Sequence, residues 1–400
     1  MSDIKLNAFY RFCRGRVVDH MIDHQQQQVQ ITVEPDKRYR PICHICKQPA
    51  KGVHSYHERM IRDLDVFNAR TVIHYRYRKV RCQSCGIVTE DLGLVDPHIR
   101  MTQRLVRYIL ELCKIMTIKE IADHLGLNWK TVKDIHKESL KNRYTNEDIG
   151  YPVLLAVDEI AVKKRHRYLT VIINWETGRV LYVGKGRRTE TVKDFLTSLT
   201  EEQRNTIRAV AMDMWDPYIK AVTDSCPQAA IVFDQFHVVS SFGRVINRVR
   251  NDEYKKAARE GKEIIKGSKY ILLKNKGNLR QDEKPRLKAL LKLNEAITTA
   301  YILKDSLKKL WHYSYPKSCE KLLQRWCSMA RESGIPALIS FAKMLTRHSY
   351  GIINHCRYAI HTSRLEGINN KIKVIKRKAF GFHDEEYFSL IIKDAFATSN

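Results

Sequence analysis
The chain has 400 residues, 44% of them hydrophobic, enough for two to four domains with cores of their own. Lysine and arginine number 71 against 44 acids, a formal charge of +27, which favours a polyanion as partner. No apolar run reaches the roughly 18 residues of a membrane-spanning helix, and MSDIKLNAFYRFCRGR lacks the apolar core of a signal peptide. The ten cysteines therefore read as metal ligands or free thiols rather than disulfides.

Residues 1–96 read as a β-rich, zinc-binding domain. Val29 to Val33 alternates as a half-buried strand does. Cys43-His-Ile-Cys46 and Cys82-Gln-Ser-Cys85-Gly86 are two CxxC knuckles. Their four thiolates suit one tetrahedral structural Zn²⁺, and Gly86 supplies the tight turn after the second pair. His44, His54 and His57 are weaker candidates, because four cysteines close the site. Residues 47–81 exceed the usual zinc-ribbon spacing, so an inserted hairpin is expected, with Thr71 to Val80 as one strand. Arg76, Arg78, Lys79 and Arg81 make that strand basic, as a solvated face or a DNA-backbone contact. Cys13, Cys113, Cys226, Cys319, Cys327 and Cys356 are expected to be free thiols.

Residues 97–150 read as a helix-turn-helix and a linker. Leu105, Ile109, Leu112 and Met116 recur at helical spacing. Ile118, Ile121, Ala122 and Leu125 form the face of a short helix that Gly126 ends. Leu127 plugs the turn, and Asn128 caps a second helix with Val132 and Ile135 inward. Trp129, Lys130, Thr131 and Lys133 at its start would enter a major groove. An ordinary αα-hairpin is the plainer alternative. Asn142 to Pro152 is polar and turn-rich, hence the linker.

From Val153 to Val183 three β-branched-rich runs alternate with turns, the second at Thr177-Gly178. The first, Val153 to Val157, is uncharged, as a strand covered on both faces would be, yet runs into Asp158-Glu159. A carboxylate there requires a basic partner or a metal ion. Thr189 to Leu199 reads as a helix, Ile207 to Met212 as a strand ending in Asp213, Trp215-Asp-Pro-Tyr218 as the start of a helix with Pro217 near its first turn, and Ala229 to Phe233 as a strand ending in Asp234, with His237 beyond. This βββ-α-β-α-β order suits an RNase H-like mixed sheet, with Asp158 and Asp213 neighbours at one edge. Two carboxylates there can hold two divalent metals about 3.5–4 Å apart for phosphoryl transfer. Mg²⁺, or Mn²⁺, suits such oxygen ligands.

Residues 241–357 are basic and almost wholly helical, an all-α insertion in a catalytic domain spanning 151–400. Leu287, Leu290, Leu293, Ile297 and Ala300 read as one core stripe. Beyond it, Ile368, Ile372, Ile375 and Ala379 give a further helix an apolar face, with Glu366, Asn370, Lys373 and Arg377 together on another. The last three are candidate DNA contacts; a solvated basic helix would show the same pattern.

The chain resembles the ISL3 family of bacterial insertion-sequence transposases over nearly its full length. The matching stretches are CHIC…RCQSCG, IADHLGLNWKTVKDI, AVDEIAVKK, AMDMWDPYI, IVFDQFHVV and HTSRLEGINNKIKVIKRKAFGF. The resemblance implies a zinc segment, a helix-turn-helix and an RNase H-like DDE domain interrupted by a helical insertion. It implies a catalytic triad of Asp158, Asp213 and Glu366 holding Mg²⁺ or Mn²⁺, with His237 in a DxxH signature. Glu159 and Asp216 are neighbouring acids that such a match could confuse with the ligands. The implied activity is metal-dependent strand cleavage and strand transfer at terminal inverted repeats of double-stranded DNA. A homodimer or larger assembly on DNA, in the bacterial cytoplasm and nucleoid, is expected with it. The rivals are a DNA-binding regulator with a degenerate catalytic domain and a nuclease that cuts without joining.

Overall fold
The computed structural model describes residues 14–66, 68–96, 98–145, 147–163, 167–360, 363–378 and 383–397. Residues 1–13, with Cys13, and both ends of the last matching motif (361–362 and 379–382) lie outside the described residues. The chain divides into two compact units, Met1–Asn142 and Arg143–Asn400.

In the first unit, β1 (Gly15–Asp23), β2 (Gln28–Pro35), β3 (Gly52–Arg62), β4 (Arg70–Cys82) and β5 (Gly86–Thr89) form one sheet. The order is β1-β2-β4-β3, with β5 also on β4. Alternation along β2 turns Val29, Ile31 and Val33 inward onto Ile61, Ile73 and Tyr75. β3 and β4 pair antiparallel and are the hairpin expected between the cysteine pairs. Arg78 on β4 departs from both readings of that basic strand. It is buried, and its guanidinium forks onto the equally buried Glu90 carboxylate. Arg76 pairs with Glu34 at 3.0 Å.

Three helices follow: α1 (Gln103–Leu112), α2 (Ile118–Leu125) and α3 (Trp129–Tyr144). Leu105, Ile109, Ile121, Ala122 and Val132 make their common core. Thr117 and Glu120 cap α2 reciprocally. Gly126, at φ 60°, takes the left-handed turn that a side chain would resist. The Leu127 N–H donates to the Ala122 carbonyl at 2.8 Å, and Asn128 Oδ1 accepts from the Lys130 N–H at 2.8 Å. The helix runs on through Tyr144, so the expected linker begins as helix.

The second unit is built on a five-stranded mixed sheet in the order β10-β9-β6-β7-β8. β6 (Leu154–Lys163), β7 (Arg167–Asn174) and β8 (Val180–Lys185) are antiparallel; β9 (Ala209–Met212) and β10 (Ala230–Phe233) continue parallel to β6. This is the RNase H-like order. β6 is uncharged through Val157 because both faces are covered: Leu155 and Val157 enter one core and Ala156 the other. The first core takes α4 (Thr189–Ser198), α6 (Asp216–Ser225) and α7 (Gln235–Lys256). A short α5 (Glu201–Thr206) lies between α4 and β9.

The insertion begins inside α7 without a break. It continues through α8 (Arg259–Ile265), α9 (Lys269–Leu273), α10 (Glu283–Leu293), α11 (Glu295–Lys308), α12 (Pro316–Glu332), α13 (Pro336–Arg347) and α14 (Ser349–Ile353) to a 3-10 turn, Asn354–Cys356. The single stripe expected there is two helices. α10 ends at Leu293, which is exposed, and Asn294 caps α11 by accepting from the Ile297 N–H at 2.8 Å. Leu287, Leu290, Ile297 and Ala300 are buried as expected. α15 (Ser363–Lys378) and α16 (Glu385–Ala395) then cover the other sheet face through Leu365, Ile368, Ile372, Phe388 and Ile392.

Candidate functional site
The Sγ atoms of Cys43, Cys46, Cys82 and Cys85 all lie within 4.8 Å of one another, the donor set of a structural zinc site. Each knuckle turns through a left-handed residue directly after its second cysteine, Lys47 at φ 60° and Gly86 at φ 75°. Backbone N–H groups of Cys85 and Ser84 point at the Cys82 sulfur and pull that thiol down to about 7. His44 instead contacts the Thr89 carbonyl through Nδ1 at 2.9 Å.

At the start of α3, Trp129, Lys130 and Thr131 are exposed. Lys133 departs from this: it is half-buried, with Nζ 3.4 Å from Asp134.

Parallel pairing of β6 with β9 stops at Ala156–Ala211, while its pairing with β7 runs on past Asp158 to Lys163. Asp158 is therefore not at a strand end, as the sequence suggested. It stands where one flank of β6 loses its neighbour. Asp213 directly follows β9 and Asp234 directly follows β10, so all three acids gather at the C-terminal edge of the parallel strands. Asp158, Glu159, Asp213, Tyr218 and His237 line a cleft of about 440 Å³, together with Arg187, Trp215, Phe236 and Arg244.

Asp234 is buried and caps α7, accepting from the Phe236 N–H at 2.7 Å. That cap sets the first turn of α7 and with it His237. The ring contacts Asp213 through Nδ1, and Nε2 lies 3.7 Å from Asp234. His237 thus engages a catalytic candidate directly. Burial opposes charging the ring, but the hydrogen bond to Asp213 and the surrounding carboxylates outweigh it and raise its pKa.

Asp158 accepts from the Glu159 N–H at 2.7 Å and from the Asn369 side-chain amide. Burial, reinforced by the charge of Asp213, still pushes its pKa up. Burial likewise raises Glu159, whose carboxylate faces Arg187 at 3.3 Å. Arg187 in turn stacks on Tyr168 and Trp215, 4.5 and 4.9 Å from their ring centres. Arg187 thus answers Glu159 and His237 answers Asp213, while Asp158 has neutral donors. Hard oxygen donors short of positive charge fit a divalent cation such as Mg²⁺ or Mn²⁺. Asp216 stands apart, exposed and 3.3 Å from Arg347.

Glu366 is not among the residues lining the cleft. It is exposed in the first turn of α15, three positions before Asn369. At 100° per residue the two are about 60° apart around the helix, with Asn369 on the side of the buried stripe. Asn370, Lys373 and Arg377 are exposed on the same helix. Sequence reasoning passed over Asn369 and Arg187. The helical offset from Glu366 was the available signal for the first; nothing local marked the second.

A four-cysteine module, a helix-turn-helix and an RNase H-like sheet with acids at this edge define the class of DDE transposases. Residues 40–85 match a zinc-finger of transposase IS204/IS1001/IS1096/IS1165, residues 90–138 the helix-turn-helix domain of transposase family ISL3, and residues 155–392 that family's transposase domain. The chain is 39% identical to the transposase for insertion sequence element IS1001 of Bordetella parapertussis, over 89% of this chain and 88% of that one. It is 26% identical to the transposase for insertion sequence element IS1557 of Mycobacterium tuberculosis, over 82% of this chain and 79% of that one. The chain belongs to the ISL3 family of transposases. Membership carries nuclease and transferase chemistry, DNA binding and dependence on a divalent metal. Among the described residues, no helix is long and apolar enough to cross a membrane.

Proposed function
We propose that this transposase binds the terminal inverted repeats of its own element, cuts at their ends and joins them to target DNA at one active site. The observation that supports this most is the meeting of Asp158 and Asp213, from separate strands, on one cleft that arginines also line. Asp158, Asp213 and Glu366 would hold two Mg²⁺ or Mn²⁺ ions, which supply the charge that activates a water or 3′-hydroxyl and stabilises the leaving 3′ oxygen. The chain's own groups prepare that site. Asn369 and the Glu159 N–H orient the Asp158 carboxylate, and His237 fixes Asp213. Arg187 and Arg244 offer positive charge to the phosphates.

Roles divide along the chain. Residues 1–96 hold zinc on Cys43, Cys46, Cys82 and Cys85. Residues 97–150 read the repeat through Trp129, Lys130, Thr131 and Lys133. Residues 151–400 carry the chemistry, and 241–357 insert into them. Asn370, Lys373 and Arg377 grip the DNA backbone. Pairing two ends requires a dimer or larger assembly, working in the bacterial cytoplasm at the nucleoid. The test is one reaction: labelled inverted-repeat DNA, Mg²⁺ and a target plasmid with the full-length protein. Joined product is expected. Binding without cutting would make the protein a regulator, and cutting without joining a nuclease.

A further inference from the structure
A second cluster of soft ligands lies in the helical insertion, away from the catalytic cleft. Cys319 sits in the first turn of α12, and His355 and Cys356 sit in the 3-10 turn Asn354–Cys356. Their two sulfurs and one ring nitrogen lie within 4.8 Å of one another. Cys319 is fully buried and the other two are half-buried. Cys356 Sγ and His355 Nε2 are 3.5 Å apart. Around a tetrahedral zinc, bonds of about 2.3 Å to sulfur and about 2.05 Å to nitrogen separate two such ligands by about 3.6 Å.

The histidine tautomer points the same way. His355 Nδ1 contacts the Ile352 carbonyl, which can only accept, so Nδ1 carries the proton. In the neutral ring Nε2 is then a bare lone pair. It faces the Tyr313 carbonyl oxygen, a second acceptor, at 3.2 Å. That lone pair calls for a donor or a positive charge: the Cys356 S–H at 3.5 Å, a second ring proton, or a metal ion. Metal-bound histidines commonly donate their other N–H to a backbone carbonyl, as Nδ1 does here. The two sulfurs beside Nε2 complete a soft donor set of the kind zinc prefers, which favours the metal.

We propose that Cys319 Sγ, Cys356 Sγ and His355 Nε2 bind a second Zn²⁺. The Tyr313 carbonyl, 3.1 Å from Cys356 Sγ, or a water takes the fourth position. Both thiols ionise on binding and release their protons to solvent. The ion ties the start of α12 to the turn that leaves the insertion. Next to it, the Asn354 amide donates to the Ile231 carbonyl of β10 at 2.9 Å. The clamp therefore fastens the end of the insertion to the catalytic sheet just before the chain enters α15. None of this depends on the transposition reading.

Metal analysis of the full-length protein, purified under reducing conditions, decides it. About two zinc per chain are expected, one from each cluster. Cys319→Ser and His355→Gln should each retain about one, and Cys85→Ser should lose the other. His355→Gln keeps both sulfurs, so it remains informative if Cys319→Ser does not fold. Cobalt loaded into Cys85→Ser should show thiolate charge-transfer absorbance that vanishes when Cys319→Ser is added. One zinc per wild-type chain, or two in a folded His355→Gln, overturns the site. So does a Cys319–Cys356 disulfide in the protein as purified, read as missing titratable thiols.

Discussion
The side-chain amide of Asn369 donates to the Asp158 carboxylate across 211 positions of sequence. It is the direct link between α15 and the acid on β6, and it holds Asp158 by an oriented donor rather than by a charge. Replacing it with alanine leaves a buried carboxylate with one fewer donor. Asn369→Ala should lower strand cleavage by about tenfold to a hundredfold, the usual effect of removing a group that orients a metal ligand. Binding to inverted-repeat DNA should not change. Equal losses in cleavage and binding would make Asn369 a DNA contact instead.

Glu366 precedes Asn369 by three residues on α15, the helix whose Asn369 reaches Asp158. Glu366→Gln keeps shape and removes charge. It should abolish cleavage and joining while leaving repeat binding intact, as should Asp158→Asn and Asp213→Asn. Persistent cleavage by Glu366→Gln in a gel assay would remove it from the triad.

Two sets of residues should behave differently in a salt titration. Lys130 and Thr131 stand exposed at the start of α3, the part of a helix-turn-helix that ordinarily meets base edges. Their substitution should weaken binding to the cognate repeat more than to random DNA. Lys373→Ala or Arg377→Ala should weaken both alike and reduce the salt slope by about one for each phosphate no longer neutralised. Identical behaviour of the two sets would undo this division.

Local patterns carried much of this fold. Alternation marked β2, capping residues marked α2 and α3, and paired cysteines marked the zinc module. The mixed sheet followed from the order of apolar runs, three of which run into an acid: Asp158, Asp213 and Asp234. What stayed hidden was long-range or depended on register. Arg78 and its neighbours on β4 look equally basic, and its pairing with Glu90 is decided by which face of the strand is covered. Asn369 and Asn370 are adjacent amides, and about 100° of helix rotation separates the one that reaches Asp158 from the one in solvent. His237 could be placed near the acids, but not against Asp213.

The Arg78–Glu90 pair makes a separate prediction for the first unit. Both side chains are almost wholly enclosed, at 5% and 1% exposure. Glu90→Gln would leave a buried guanidinium without its counter-charge, at a cost of about 3–5 kcal/mol. Denaturant unfolding should show that loss, and Arg78→Met with Glu90→Leu should recover much of it. A single Glu90→Gln variant as stable as wild type would mean the pair is solvated.

Gly351 lets α14 lie directly on β10. A Cβ there would stand 2.4 and 2.5 Å from two ring carbons of Phe233, which His348 and Tyr350 also hold edge-on. The ring is enclosed on these sides and has little room to yield, so Gly351→Ala should destabilise by about 1–3 kcal/mol. Phe233 is the last residue of β10, and Asp234, the cap of α7, follows it. Displacement of the ring should pass to that cap and to His237, so cleavage should fall with stability while repeat binding holds. Gly367 is the internal comparison: it is helical, and nothing lies within 4 Å of its added Cβ. Gly367→Ala should raise stability by about 0.5–1 kcal/mol through helix propensity. Thermal unfolding of the two variants should shift in opposite directions, and a common direction would refute the close approach of α14 to Phe233.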